Sequence, residues 1–147
     1  MIFAAALWGF AEATLFFVVP DVLLTFVALR WGWRSAVLSS LAAAAAASFG
    51  GLLMYRWGAV DAETARAIAD HLPAISPGMI EDVRQSLPAQ GAWAMFNGAF
   101  RGIPYKLYAI ESGAAHHDAI AFLAISFCAR LSRFVLLVTL VAAIAST

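Results

Sequence analysis

Two apolar runs of this 147-residue chain carry charged side chains, and a proline interrupts each run. These residues are Glu12, Pro20 and Asp21 in the first run, and Arg101, Pro104 and Lys106 in the second. Carboxylates can pair with a cation or exchange a proton, whereas an Arg guanidinium can hold a phosphate through two parallel hydrogen bonds. The sequence predicts one site between the runs, in which both carboxylates face Arg101 and Lys106 lies close by.

The individual charges have more than one interpretation. Glu12 has no local partner in its sequence setting, which favours proton coupling or charge pairing. Asp21 could act in the same way, or it could cap a helix that begins near Val22, because Asp is a preferred N-cap residue. Arg101 is the leading candidate for binding a phosphate, but a structural salt bridge to either carboxylate fits its position as well.

The composition indicates a membrane protein. Hydrophobic residues make up 63% of the chain, charged residues 12%, and the mean hydropathy is +0.84. A typical soluble domain is about half apolar and about a quarter charged. We therefore expect one all-α integral membrane domain, in which an ionisable group is costly and usually has a partner or a function. The formal net charge of zero gives no indication of a nucleic-acid partner.

The last apolar run, residues 119–145, contains two more arginines. Arg130 and Arg133 are three residues apart, so they share a helix face with Ser126. They are candidates for an attractive path that leads an anionic group inward from the interface. Alternatively, each side chain could extend to the interface without binding any substrate.

Metal binding and catalysis find no support in the sequence. His116 and His117 are adjacent and have no further ligands at metal-binding spacing, so we expect an ordinary polar turn there. The common catalytic and phosphate-loop motifs do not occur. We expect no metal, no other cofactor and no enzymatic activity.

The order of apolar and polar segments predicts an inverted repeat. Each half has a broken apolar segment, a polar turn and a full-length helix: residues 2–29, 30–34 and 35–55, then 93–110, 111–118 and 119–145. If Pro20 and Pro104 break re-entrant hairpins, the two hairpins must enter from opposite faces. The single domain then divides into a first repeat, an insert and a second repeat, at residues 1–57, 58–91 and 92–147.

The polar insert predicts two short amphipathic helices. Asp61 can cap the first, and Ser76 followed by Pro77 is a typical start for the second, which Pro88 should end. Both are too short and polar to span a bilayer. We expect them to lie at the membrane interface as a hairpin, or to form an ordinary solvated loop with two helices.

Small and aromatic residues give two further expectations. Residues 42–51 are mostly Ala, Ser and Gly, which lets helices approach closely in lipid. That face could pack within one subunit or contribute to a homodimer, which we expect because two spans enclose a polar cavity poorly. Five tryptophans flank the apolar runs and are typical of interface anchors: Trp8, Trp31, Trp33, Trp57 and Trp93.

Four motifs, taken in order, resemble the DedA family, also called SNARE-associated Golgi or VTT-domain proteins. They are Glu12 with Pro20-Asp21, Gly50-Gly51 with Tyr55-Arg56-Trp57-Gly58, Phe100-Arg101-Gly102-Ile103-Pro104 with Gly113, and Arg130-Leu131-Ser132-Arg133-Phe134. The resemblance runs from about residue 10 to residue 134 and is greatest to the short YqaA-type bacterial branch. The family's Gly after the hairpin proline is Tyr105 here, and its second Arg falls at Leu107, one residue after Lys106.

The resemblance implies opposed re-entrant hairpins, a location in the bacterial inner membrane and movement of lipids. Relatives are associated with recycling of polyprenyl-phosphate carriers, with proton-dependent membrane homeostasis and with phospholipid scrambling. We therefore expect a flippase or scramblase for anionic lipids that is coupled to protons, with Arg101, Lys106, Arg130 and Arg133 contacting substrate. The alternative is a non-transporting membrane scaffold or assembly factor in which the buried charges are structural.

Overall fold

The protein is all-helical in the part of the chain that the structure, a computed structural model, describes: residues 1–14 and 19–146. The α-helices there are α1 (Ile2–Ala13), α2 (Asp21–Val60), α3 (Ala62–Asp70), α4 (Pro77–Gln90), α5 (Ala94–Arg101), α6 (Tyr105–Ala114) and α7 (Ala119–Ala145). A 3-10 turn, Gly91–Trp93, joins α4 to α5. The predicted all-α class is confirmed.

The first broken apolar segment forms α1 and the beginning of α2. Pro20 immediately precedes α2, and residues 15–18 of this segment lie outside the described residues. α2 is bent at Gly32, whose φ of 81° is non-helical and divides it into a first arm (residues 21–31) and a second arm (residues 33–60). Because Gly has no Cβ, it adopts positive φ without steric cost. The polar turn predicted at residues 30–34 is therefore a bend centred on Gly32.

Small residues hold α1 against the second arm of α2. Gly9 lies against the backbone of Ala43, and Ala13 lies beside Gly50, so the two helices run in the same direction. The buried small residues of this arm include Ala43, Ala44, Ala47, Ser48, Gly50 and Gly51. The small-residue face is thus used within one chain. The homodimer stays a prediction and would need a different surface.

The second broken segment forms α5 and α6. We use the name first hairpin for α1 with the beginning of α2, and the name second hairpin for α5 with α6. Gly102 ends α5 in the left-handed conformation, and Pro104 precedes α6. α6 continues along the second arm of α2: Tyr105 contacts Gly51, and Gly113 lies against the Tyr55 backbone. The end of α1 and the start of α6 therefore meet beside the Gly50-Gly51 pair.

The insert forms the two predicted helices. The Asp61 carboxylate accepts a hydrogen bond from the Thr64 amide, and the Ser76 hydroxyl accepts one from the Met79 amide, which confirms both caps. The prediction that Pro88 ends α4 is wrong, because the helix continues to Gln90 and ends at Gly91. A proline in the last turn leaves one carbonyl without its helical donor but does not prevent the following residues from staying helical.

The insert packs against the body of the protein. Its buried residues are Ala65 and Ala69 on α3, and Val83 and Leu87 on α4. They belong to the same hydrophobic cluster as Tyr105, Leu107 and Tyr108 of the second hairpin. The insert is therefore a cover over α6, and its location at a membrane interface or in water stays a prediction.

Two of the described helices, α2 and α7, are long and apolar enough to cross a membrane. α7 has the predicted bounds, 27 residues and a mean hydropathy of 2.0 in its most apolar stretch. Only 22% of that stretch is buried within the chain. Large side chains such as Leu136, Leu140 and Ile144 are exposed instead. A core helix of a soluble protein would bury most of such a surface.

Replacing Gly113 with Ala should destabilise the protein. The new Cβ would meet the Tyr55 carbonyl and the Ala59 amide, which are backbone atoms that cannot rotate away. We expect a loss of about 1–3 kcal/mol, the usual cost of overpacking, measured as a lower Tm by intrinsic fluorescence in detergent. Gly78→Ala is the control, because its Cβ would meet only the Ser76 hydroxyl at 3.8 Å. An unchanged Tm for Gly113→Ala would contradict the close contact.

Candidate functional site

Glu12 and Arg130 form a buried ion pair that joins the first hairpin to α7. The Arg130 guanidinium donates to the Glu12 carboxylate, and the two residues are only 8% and 7% exposed. The guanidinium carbon also lies 4.6 Å from the centre of the Tyr105 ring and 5.4 Å from that of Phe134. Arg130 is therefore held by one carboxylate and two aromatic rings, from three separate helices.

Asp21 and Arg133 form a second ion pair, one helical turn further along α7. The nitrogen–oxygen distance is 2.6 Å, and both side chains are partly buried. Pro20 and not Asp21 is the N-cap residue of α2, and the Asp21 carboxylate accepts from Arg133 instead, so the capping interpretation is wrong. Its other carboxylate oxygen is buried and has no hydrogen-bond partner among the described residues.

The predicted pairing of both carboxylates with Arg101 is wrong. Arg101 is the last residue of α5, is exposed, and takes part in none of the ion pairs found among the described residues. The partners are instead the two arginines of α7. Their three-residue spacing places both on the helix face that packs against the first hairpin, a contact between distant segments that the sequence alone did not reveal.

A cavity of about 210 Å³ lies where the hairpin ends meet α7. Its charged lining residues are Glu12, Lys106, Arg130 and Arg133. Val19 from the first hairpin and Pro104 from the second also line it. The lining and the Asp21 carboxylate bound to Arg133 together hold three cations and two carboxylates, a net charge of +1, so the cavity favours an anionic guest over a cationic one.

Lys106 lies close to Glu12, as predicted. It is 2% exposed, lines the cavity, and is near enough to Glu12 and Arg130 to interact electrostatically with both. An ammonium group is a compact point charge, whereas the neighbouring guanidinium presents a planar fork. The cavity therefore offers two chemically different cationic groups beside a single carboxylate.

The turn between α3 and α4 forms part of the cavity wall, through Pro73, Ala74 and Ile75. α3 is fixed to α6 by Arg66, whose guanidinium donates twice to the Glu111 carboxylate, over 2.6 and 2.7 Å. This hydrogen bonding raises the pKa of Arg66 above its usual value. Neither feature could be read from the sequence, because Arg66 and Glu111 lie 45 residues apart on different helices.

The site contains no evident metal-binding group, since no cluster of three or more His, Cys, Asp or Glu residues occurs within residues 1–14 and 19–146. Fold and site together define an all-helical protein with two helices able to cross a membrane and a cation-lined cavity between its helical hairpins. No family model, curated protein or solved structure matches the chain.

Removing one member of the buried pair should cost more stability than removing both. Glu12→Leu leaves the Arg130 charge buried and unpaired, which typically costs about 3–5 kcal/mol. The double variant Glu12→Leu with Arg130→Met has no such charge and should recover most of the loss. Denaturant unfolding in detergent measures the four members of this cycle, with exposed Arg101→Gln as the control. Equal losses for the single and double variants would contradict the pairing.

Replacing Arg66 with Met should loosen the insert while the rest of the fold stays intact. The variant keeps much of the aliphatic stem but loses both hydrogen bonds to Glu111. We expect faster amide hydrogen exchange in residues 62–75 and unchanged protection in α7, measured by mass spectrometry. Arg84→Met is the matched control, since its ion pair with Glu81 is exposed and lies within one helix. Unchanged exchange in residues 62–75 would show that Arg66 does not anchor the insert.

Proposed function

We propose that the chain is a multi-pass integral membrane protein in which both hairpins are re-entrant. α7 would extend about 40 Å at 1.5 Å per residue, more than the roughly 30 Å hydrocarbon core. By contrast, α1 and the first arm of α2 would each extend less than about 20 Å, too short to cross. Their exposed apolar residues, such as Phe3 and Leu29, fit a lipid surface.

The proposed repeat is inverted, as the contacts along α2 support. α1 runs beside the first half of the second arm and ends near Gly50, whereas α6 begins near Gly51 and runs beside the second half. Both hairpins would therefore have their tips near Gly50 and Gly51 and would extend from there in opposite directions along α2. Such hairpins would enter the membrane from opposite faces. Arg130 and Arg133 fall in the middle third of α7, so the site would lie near the midplane.

We further propose that the protein moves anionic lipids across the bilayer, as a flippase or scramblase for phospholipids or polyprenyl phosphates. The observation that carries this proposal is the cavity beside Glu12, Lys106 and Arg130. About 210 Å³ suits a polar headgroup with its acyl chains left outside. The cationic lining lowers the free-energy cost of bringing a phosphate into a region of low dielectric, where charge interactions strengthen.

In the proposed mechanism, a phosphate exchanges places with Glu12. Arg130 is bound to Glu12 at rest, and an entering phosphate competes for the same guanidinium. Transfer of a proton to Glu12 removes the competing charge, which couples headgroup binding to protons. Lys106 and Arg133 supply further positive charge beside the phosphate. Arg101, exposed next to the lining residue Gly102, meets the headgroup at the entrance rather than inside the cavity.

Membership of the DedA family remains our proposal, carried by the ordered motifs. Three of their residues, Glu12, Pro104 and Arg130, line the cavity, which supports the proposal. Tyr105, which replaces the family's Gly, contributes the ring that Arg130 contacts. A bacterial inner-membrane location is part of the same proposal.

A non-transporting scaffold is the second candidate. The observation that favours it is that Glu12 and Asp21 already have arginine partners, as purely structural charges would. Buried ion pairs of this kind can specify one arrangement of helices without binding anything else. Reversing the charges separates the two functions. In a scaffold, Glu12→Arg with Arg130→Glu should restore the pair and its function, whereas a transport site should stay inactive.

Lys106→Met should slow lipid movement in folded protein. The variant fills a similar volume but removes a cavity charge, and we expect at least about a tenfold lower rate, the effect of roughly 1.4 kcal/mol. The measurement is dye quenching of fluorescent phosphatidylglycerol or polyprenyl phosphate in liposomes. Arg56→Gln, an exposed charge outside the cavity lining, is the control.

Arg101→Gln should reduce the rate less than Lys106→Met does, and mainly at low salt, because screening weakens an exposed charge.

A wild-type rate for Lys106→Met, Arg130→Lys and Arg133→Gln, in protein of normal Tm, would overturn the transport proposal. A scaffold function would then take its place.

A further inference from the structure

The bend of α2 presents an unusual run of exposed residues. Residues 30–34 read Arg-Trp-Gly-Trp-Arg, and all five are exposed. Trp31 and Trp33 are 46% and 47% exposed, which is high for side chains of this size. The run is symmetric about Gly32, with one indole and one guanidinium on each side. Neither the cavity nor the mechanism proposed above uses these residues.

Contacts on both sides hold the two indoles in place. The Trp33 indole nitrogen donates a hydrogen bond to the Thr139 hydroxyl of α7 over 3.0 Å. The Trp31 ring packs edge-on against Phe26, with 5.4 Å between ring centres. Because both rings are already held in place, each would lose less conformational entropy on binding a ligand than a mobile side chain would.

The surroundings of the bend are basic. The sequence has no Asp or Glu between Asp21 and Asp61, and none after Asp118. Asp21 itself is paired with Arg133. The ion pairs found among the described residues do not include Arg30 or Arg34. Two guanidinium groups are therefore exposed at an end of the molecule where acidic side chains do not compensate them.

The position of the bend along α7 suits a lipid headgroup. Thr139, which Trp33 contacts, lies about 10 Å along the axis from the midpoint of α7, which is about 5 Å inside the boundary of a roughly 30 Å hydrocarbon core centred there. Trp is enriched at that boundary, and arginine stems that start just inside it extend toward the phosphates. Leu29 and Leu136, both exposed, provide apolar surface on the side of the acyl chains.

We propose that the Arg-Trp-Gly-Trp-Arg bend is a binding site for anionic phospholipids of the surrounding bilayer. Arg30 and Arg34 contact the phosphate and other acidic headgroup oxygens, while Trp31 and Trp33 lie beside the glycerol and upper acyl region. The inference rests on the membrane placement proposed above and not on lipid movement. The bound lipid is a resident ligand of the interface, separate from any headgroup in the cavity.

Quenching of tryptophan fluorescence by brominated lipids tests the site. The reporter is the full chain with Trp8, Trp57 and Trp93 changed to Phe, so that only Trp31 and Trp33 emit. It is reconstituted into phosphatidylcholine vesicles that contain a small fraction of either brominated phosphatidylglycerol or brominated phosphatidylcholine. We expect stronger quenching by the phosphatidylglycerol at equal fraction, and loss of the difference at high salt.

Matched arginine variants identify the contacts. Arg30→Gln with Arg34→Gln should lower the apparent affinity for phosphatidylglycerol by roughly fivefold for each arginine removed. The control pair, Arg56→Gln with Arg84→Gln, removes the same charge elsewhere and should leave the preference unchanged. Lipids retained by the purified chain, counted by native mass spectrometry without any tryptophan change, provide a second measurement of the same preference.

Two other outcomes of the quenching experiment would overturn the proposal. Equal quenching by both brominated lipids, or equal effects of the two arginine pairs, would overturn the lipid site while leaving the membrane placement intact. Absence of quenching by either lipid would show that the bend is not at a bilayer, and would overturn both. The Arg30 and Arg34 variants should still move lipids, because neither residue lines the cavity.

Discussion

The ion pair between Glu12 and Arg130 is the interaction on which the rest of the arrangement depends. It joins residues 118 positions apart and fixes the end of α1 against the middle of α7. Both charges are nearly inaccessible, so each would be costly to bury without the other. The pair therefore specifies the position of the first hairpin more strictly than apolar packing alone would, since apolar helices can slide past one another with little change in buried area.

The surroundings of Arg130 show how the sequence accommodates this constraint. Tyr105 places its ring under the guanidinium, and that ring fits only because Gly51 has no side chain. A small residue on one helix thus makes room for an aromatic ring on a second helix, which in turn positions a cation on a third. Lys106 is adjacent to Tyr105 on α6 and enters the cavity from the same turn. Packing and electrostatics are therefore not separable here.

The sequence predicted the local features of the fold well and its long-range contacts poorly. The caps at Asp61 and Ser76 and the bounds of α7 follow from neighbouring residues, so they could be read directly. The wrong predictions at Asp21 and Pro88 show that a local signal can also be overridden. The pairing of Glu12 with Arg130, rather than Arg101, depends on which faces of distant helices meet. Every arginine carries the same charge, so charge alone could not identify the partner. The contact of Arg66 with Glu111 was missed for the same reason. Lys106 was placed correctly beside Glu12 because both follow from the ends of the hairpins.

The turn at Pro73, Ala74 and Ile75 has a consequence for how such a protein can vary. It forms part of the cavity wall, although it belongs to a polar insert that contributes nothing to the apolar repeat. Shortening the insert would open the cavity on that side and leave the buried face of α6 uncovered. A chain with the same two hairpins but without these residues would need another helix, a second subunit or a partner protein to close the same gap. The length of the insert is thus constrained because the insert closes one side of the cavity, even where its outward-facing residues are free to change.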